Sequence, residues 1–254
     1  MWLLRIRTWT LATAMTAGVR FYANAQFVVE RSPFLDATEA RVDPYEQTWH
    51  IVDASNLAPV TAQVKVEGLH PRKPILLPAA AHSQVSVQPY RRYTRICVRS
   101  GYMMYVDRWW AEAPGEEAPV DGAALHDTLW LRPLEVGLEQ ALPSLEFLGD
   151  GQEIYYTSLP TLASLVEFMA VNPMVRLALI GHVNAPGPEP DEETCERMGR
   201  ERARAVWEYL VTQGVDPRRL EVQGAGRAGM LFPDPQTPEE VDANRRVSIR
   251  IVDL

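Results

Sequence analysis

The reading of this chain turns on one stretch, VRLALIGHVNAPGPEPDEETCERMGRERARAVWEYLVTQGVDPRRLEVQGAGRAG, residues 175–229. It opens as a strand: Val175, Leu177 and Leu179 face one way and Ala178 and Ile180 the other, the two-residue period of β-structure. A loop rich in proline and acid follows, then a helix over about 194–213 that Gly214 stops. Met198, Ala205, Val206, Tyr209 and Leu210 make its apolar stripe, with arginines and glutamates opposite. Residues 220–223 read as a second strand and 247–252 as a further one. Upstream, Leu162, Leu165, Val166, Phe168 and Met169 share one face of an earlier helix that Asn172-Pro173 ends. The pattern predicts an α+β domain over residues 145–254, a sheet backed by helices.

Before about residue 133 the period is different. Trp49-His50-Ile51-Val52, residues 60–66, Val85-Ser86-Val87, residues 93–98, residues 102–109 and Leu129-Trp130-Leu131 are short and rich in β-branched and aromatic residues. In Gln63-Val64-Lys65-Val66-Glu67 the valines point one way and the charges the other. Turn signals at Ser55-Asn56, Pro71, Pro74, Pro89 and Ser100-Gly101 separate the runs. An all-β sandwich over 26–135 is expected, joined by a linker over 136–144 to the second domain. The acidic, Pro-rich stretch 111–122 reads as an exposed loop, and 26–45 as an arm or first strand.

The first 25 residues read as a cleavable signal peptide. Arg5 and Arg7 form a basic start, residues 8–19 are mostly apolar or small, and Ala23-Asn24-Ala25 supplies a cleavage site. The apolar run falls well short of the roughly 20 residues that span a bilayer, so no transmembrane span is expected in the mature chain. The competing reading is a buried N-terminal helix. No cysteine follows the cleavage site, so lipid attachment there is not expected. Export places the protein in an oxidising compartment. Cys97 and Cys195 fall in different predicted domains and read as free or buried thiols. The full chain has 25 basic and 33 acidic residues; without Arg5, Arg7 and Arg20 the balance is 22 against 33, or −11. A charge of that sign argues against nucleic acid or anionic lipid as a partner.

The residues of the second domain resemble the OmpA-like family, which includes peptidoglycan-associated lipoproteins and flagellar stator proteins. The resemblance rests on Gly181-His182, Gly187, Arg202-Ala203 with Val206 and Leu210, Gly214-Val215-Asp216, Arg219-Leu220, Gly224-Ala225-Gly226 and Asn244-Arg245-Arg246-Val247. The preceding β-domain is similar, on strand pattern and the Ser100-Gly101-Tyr102 turn, to the carboxypeptidase regulatory-like modules of Bacteroidota-type envelope proteins. The resemblance implies a site for the diaminopimelate of a peptidoglycan stem peptide, whose ammonium is taken by an aspartate and whose carboxylate is taken by a helix arginine. Here the helix arginine is Arg202, the assisting arginine Arg245, and Asn244 opens the motif that carries it. The aspartate position holds Asn184, Cys195 stands where the family has Asn, and Met198-Gly199 replaces its Leu-Ser pair. An amide brings no charge to an ammonium, and a charge-assisted bond is about twice as strong as a neutral one. Binding weakened by roughly ten- to a hundred-fold is the expectation. Asp191, Glu192 and Glu193 in the longer loop are alternative sources of the missing carboxylate.

Plainer readings stand beside these. Arg202 also fits an ion pair on a solvated helix face, Arg246 a structural strand arginine, and Asn244 a loop tie. His182 reads as a packed strand-end histidine, and His50, His70, His82 and His126 as scattered. Trp109, Trp110, Tyr102 and Tyr105 read as sandwich core and edge, whereas an exposed Trp110 would favour a sugar-stacking platform. Gly224-Ala225-Gly226-Arg227-Ala228-Gly229 has dinucleotide-fingerprint spacing but leads into Pro-rich loop, so that reading fails. With no G-x-S-x-G, H-E-x-x-H or P-loop in the sequence, neither an enzyme nor a cofactor is expected. The expected protein is periplasmic and associated with the outer membrane, tethering an envelope assembly to peptidoglycan. The alternative is a structural subunit of an outer-membrane secretion, uptake or motility complex, using a degenerate OmpA-like domain for protein contacts.

Overall fold

The computed structural model describes residues 43–69, 73–112, 125–143, 145–148, 151–188 and 190–254. All of them fall in one compact unit, Val42–Leu254. The residues read as a signal peptide, nearly all of those read as an arm, and most of the acidic loop lie outside the described residues.

The first part is mostly β-sheet. Strands β1 (Tyr45–Asp53), β4 (His82–Val87) and β7 (Leu125–Leu131) form one sheet in the order β4-β1-β7. Strands β2 (Val64–Glu67), β3 (Ile75–Leu76), β5 (Arg91–Cys97) and β6 (Tyr105–Ala111) form another, ordered β3-β2-β5-β6. The β1–β7 pair runs parallel and the other pairs are antiparallel. Alternation decides which side chains turn inward: Trp49 and Ile51 of β1, Val85 and Val87 of β4, and Leu129 and Leu131 of β7 meet Val64, Val66 and Tyr93 in one buried cluster. Arg95 of β5 lies inside it, paired with Asp107 and Asp127, its guanidinium 5.1 Å from the Trp49 ring and 4.9 Å from that of Trp109. The aromatic set thus divides. Trp109 is packed against this arginine, whereas Trp110 on the edge strand β6 is 49% exposed.

The second part is an α/β layer pair. Its sheet has the order β10-β9-β11-β8, with β8 (Glu139–Ala141), β9 (Arg176–Gly181), β10 (Leu220–Gly224) and β11 (Val247–Asp253). Strand β8 arises within the stretch read as a linker and pairs with β11. Helix α1 (Leu159–Val171) buries Leu162, Leu165, Phe168 and Met169 of the expected face, while Val166 is half-buried and Thr161 and Ser164 are buried beside them. Met103 and Met104, from the turn before β6, join the same buried cluster as α1, β9 and β11. The Gly101 amide also donates to Asn172 Oδ1 at 2.9 Å. The two parts therefore share a core.

Helix α2 (Glu192–Thr212) corrects the expected stripe. Its buried residues are Cys195, Gly199, Arg202, Ala203, Val206 and Leu210, while Met198, Ala205 and Tyr209 are half-buried. A hydropathy stripe misses this because a glycine and an arginine sit at its centre. The reason is close approach: a Cβ on Gly181 would lie 1.8 Å from Gly199 O, and one on Gly224 1.9 Å from Glu196 O. The helix lies backbone-on-backbone over β9 and β10, which only glycine permits. Gly199, a departure from the family pattern, belongs to this seam. A third helix, α3 (Pro238–Asn244), is opened by a capping box between Thr237 and Glu240.

Candidate functional site

The end of β9 and the loop beyond it gather the expected site residues. Asn244, the last residue of α3, is fully buried; its Oδ1 accepts from Leu231 N at 2.8 Å and Phe232 N at 3.0 Å. Its Nδ2 donates to Phe232 O at 2.8 Å and to Asn184 Oδ1 at 2.9 Å. It is a loop tie, and it reaches Asn184. Arg202 is 1% exposed, donating from Nη1 to His182 O at 2.8 Å and from Nε to Gly151 O at 3.3 Å, with its guanidinium 5.5 Å from the Phe147 ring centre. The solvated-face reading of Arg202 is therefore excluded: it is a buried clamp on the strand end that carries Asn184. Arg246 is structural, donating to Gly229 O at 3.0 Å and Ala243 O at 3.4 Å.

Arg245 stands apart from this buried set. It lies 3.8 Å from Asp242 Oδ1, one turn back on α3, and its side chain is 27% exposed. It lines a hollow of ≈ 290 Å³ with Asp242, Leu145, Glu146, Phe147 and Tyr155. Sequence reasoning finds Arg245 there and misses the rest, because Glu146, Phe147 and Tyr155 precede α1 and match no motif. Glu146 also meets the sandwich: Arg108 of β6 lies 3.4 Å from Oε1, and Thr157 Oγ1 donates to Oε2 at 3.1 Å.

Two of the three alternative carboxylates of the long loop have other work. Asp191 is the N-cap of α2, accepting from Thr194 N at 2.8 Å, which holds its carboxyl below the usual range. Glu192 accepts from Arg227 N at 2.9 Å. Glu193 is exposed in the first turn of α2.

His182 is packed, 3% exposed, with Nε2 2.9 Å from Ser248 Oγ and Nδ1 3.2 Å from Gly229 O. Ser248 Oγ in turn donates to Glu139 Oε1 at 2.6 Å. Burial, then the charge of Arg246, pulls the imidazole down from 6.5 to about 4. Cys97 and Cys195 are both free and buried, and burial pushes the Cys97 thiol up to about 12. The remaining histidines are less scattered than the sequence implies. His50, His82 and His126 meet on the outer face of the β4-β1-β7 sheet, with His50 Nε2 2.9 Å from His126 Nδ1. His70 lies outside the described residues. Among the described residues no group of three His, Cys, Asp or Glu side chains is arranged to hold a metal ion, and no helix is long and apolar enough to cross a membrane.

Residues 147–245 match the model of the OmpA family. The chain is 31% identical over 94 residues to "Probable lipoprotein YiaD" of Escherichia coli K12, a span of 37% of this chain and 41% of that protein. It thus spans about two fifths of the length of this curated relative. Among solved structures it is similar to the OmpA-like domain of FopA1 from Francisella tularensis, at 16% identity and TM-score 0.37, over 48% of this chain and 86% of that one. The periplasmic domain of Helicobacter pylori MotB compares at 18% identity and TM-score 0.40, over 46% and 75% of the two chains. The peptidoglycan-associated lipoprotein of Burkholderia pseudomallei compares at 17% and 0.37, over 43% and 88%. Residues 147–245 of this chain are an OmpA family domain.

Proposed function

We propose that this protein is an exported, periplasmic binding protein, associated with the outer membrane, that tethers an envelope assembly to peptidoglycan through its OmpA family domain. The observation that carries this reading is the convergence of Asn184, Arg202 and Asn244 at one end of β9, beside a hollow where Arg245, Asp242 and Glu146 bring charges of both signs. Diaminopimelate is the expected contact, held more weakly than an aspartate at position 184 would allow. The β-sandwich takes the role of docking an outer-membrane or periplasmic protein partner. We read the protein as a binder and not an enzyme: the Glu139–Ser248–His182 chain has the residue types of a hydrolase, but Ser248 is 2% exposed and His182 3%, too enclosed to meet a substrate.

A second reading, a structural subunit that uses the domain for protein contacts, is favoured by the burial of Arg202 and by exposed Leu148, Tyr155, Tyr156 and Leu159 near the hollow. Co-sedimentation of the mature protein with purified diaminopimelate-type sacculi separates the two. The tether reading expects wild type to pellet with the sacculi, and Asn184→Asp to tighten binding by about ten-fold or more. Asn184→Asp keeps an acceptor for Asn244 Nδ2, so the fold is left undisturbed. Wild type and Asn184→Asp both remaining in the supernatant would overturn the tether and leave the protein-contact reading.

A further inference from the structure

We infer that the outer face of the β4-β1-β7 sheet is a transition-metal site, with His50 and His126 as its principal ligands and His82 as a third, and that its ion is one of tetragonal preference, Cu(II) first. None of these residues belongs to the site at the end of β9, and the inference is independent of the tether reading.

The placement follows from strand register. His50 of β1 stands opposite His82 of β4 and opposite Thr128 of β7, with His126 two residues before Thr128. Residues two apart on a strand share a face, so three adjacent strands each turn a histidine to the same side. Three of the chain's five histidines therefore meet there. The His50 and His126 ring centres are 5.2 Å apart, and those of His50 and His82 6.4 Å. The outward positions beside them are Thr48 and Val52 of β1, Gln84 of β4, and Thr128 and Trp130 of β7. None of these is a lysine or arginine, so no fixed positive charge from these neighbours opposes a cation. The chain as a whole is acidic, at −8.

The choice of ion follows from one distance. Nε2 of His50 lies 2.9 Å from Nδ1 of His126, where the two share a proton when one ring donates. An ion about 2.0–2.1 Å from each of two imidazole nitrogens holds them about 2.9 Å apart at a right angle and about 3.3 Å apart at the tetrahedral angle. The observed spacing is that of neighbouring ligands in a square, the arrangement of Cu(II) and Ni(II), and Cu(II) stands highest in affinity for such donors. Ligation needs both facing nitrogens bare. The ring that donates therefore takes its other tautomer and carries its proton on the far nitrogen. Among the described residues no three side chains already surround one point; the third ligand comes by rotation of His82, which is exposed, and water completes the square. An ion so held clips β4, β1 and β7 together, and binding to the folded state alone stabilises it.

The test is titration of the untagged protein with Cu(II), followed by calorimetry and by the electron spin resonance spectrum of the bound copper. One equivalent is expected to bind, to give a tetragonal spectrum with nitrogen couplings from at least two imidazoles, and to raise the thermal midpoint. His50→Gln and His126→Gln should each weaken binding by about ten-fold or more, since losing even an outer partner of a metal ligand costs about that much. His82→Gln should weaken it by a smaller factor. The metal-free thermal midpoints should be unchanged, because none of the three side chains is part of the buried core. Copper held equally well by the His50→Gln/His126→Gln double variant would place the ion elsewhere on the chain and overturn the inference. A copper spectrum without imidazole couplings would do the same.

Discussion

Arg95 and Arg202 are both buried arginines, one in the sandwich and one in the OmpA family domain, and they are accommodated differently. Arg95 is met by the carboxylates of Asp107 and Asp127 and stacked between two tryptophans. Among its contacts, Arg202 donates to the main-chain carbonyls of His182 and Gly151 and lies over the face of Phe147. The first arrangement couples three strands through charge, so its strength depends on side chains that could be exchanged together. The second fixes the main chain at a strand end, so its consequence is positional: Asn184, two residues on, stands where Arg202 holds it. A motif points to Arg202 and none to Arg95, yet both act inside the fold.

The seam beneath Arg202 gives the largest expected effect. Gly181→Ala and Gly224→Ala each drive a Cβ into a main-chain carbonyl at 1.8 or 1.9 Å. A loss of about 4 kcal/mol or more is expected in urea unfolding. A change under about 1 kcal/mol would show that α2 can shift off β9 and β10, and the fixed strand end ascribed to Arg202 would be lost.

Next comes the sandwich arginine. Arg95→Met should cost about 3–5 kcal/mol, because it leaves Asp107 and Asp127 near each other without their cation. Adding Asp107→Asn and Asp127→Asn should restore much of it. If the triple variant is no better than the single one, Arg95 matters through its tryptophan stacking and not its charge.

A smaller effect sharpens the other side. The folded His182 titrates near 4, below its ordinary 6.5. The fold favours the neutral ring, so its contribution is complete above about pH 6.5 and is lost as pH falls toward 4. Wild type should lose on the order of 2 kcal/mol more than His182→Gln across that window. Parallel stability–pH curves for the two proteins would contradict the burial of this ring.

Much of the architecture is legible in the amino-acid pattern. Alternation in Val64-Lys65-Val66-Glu67 reappears as alternating burial in β2, and four of the five residues read on one face of α1 are buried, with Val166 half-buried. The centre of α2 is not legible in this way. Hydropathy ranks residues by what they lose on leaving water, so it passes over a glycine that admits a backbone and an arginine that satisfies carbonyls. Nor does the sequence show that Glu139–Ala141 completes the second sheet, since three residues with one glutamine and one glutamate carry no strand period.

The site divides along the same line. Asn184, Arg202, Asn244 and Arg245 can be named from a motif, because motif spacing survives wherever a strand, a helix and a turn must meet in fixed order. Glu146, Phe147 and Tyr155 cannot, for they come to the hollow from another segment and only the packing of α1 and β11 brings them there. The sequence by itself determined the order of the layers, since periodicity and turn residues act locally. Which arginine is enclosed and which faces the hollow, and which atom of Asn184 is engaged, only the tertiary structure decided, because exposure and hydrogen-bond direction depend on groups distant along the chain.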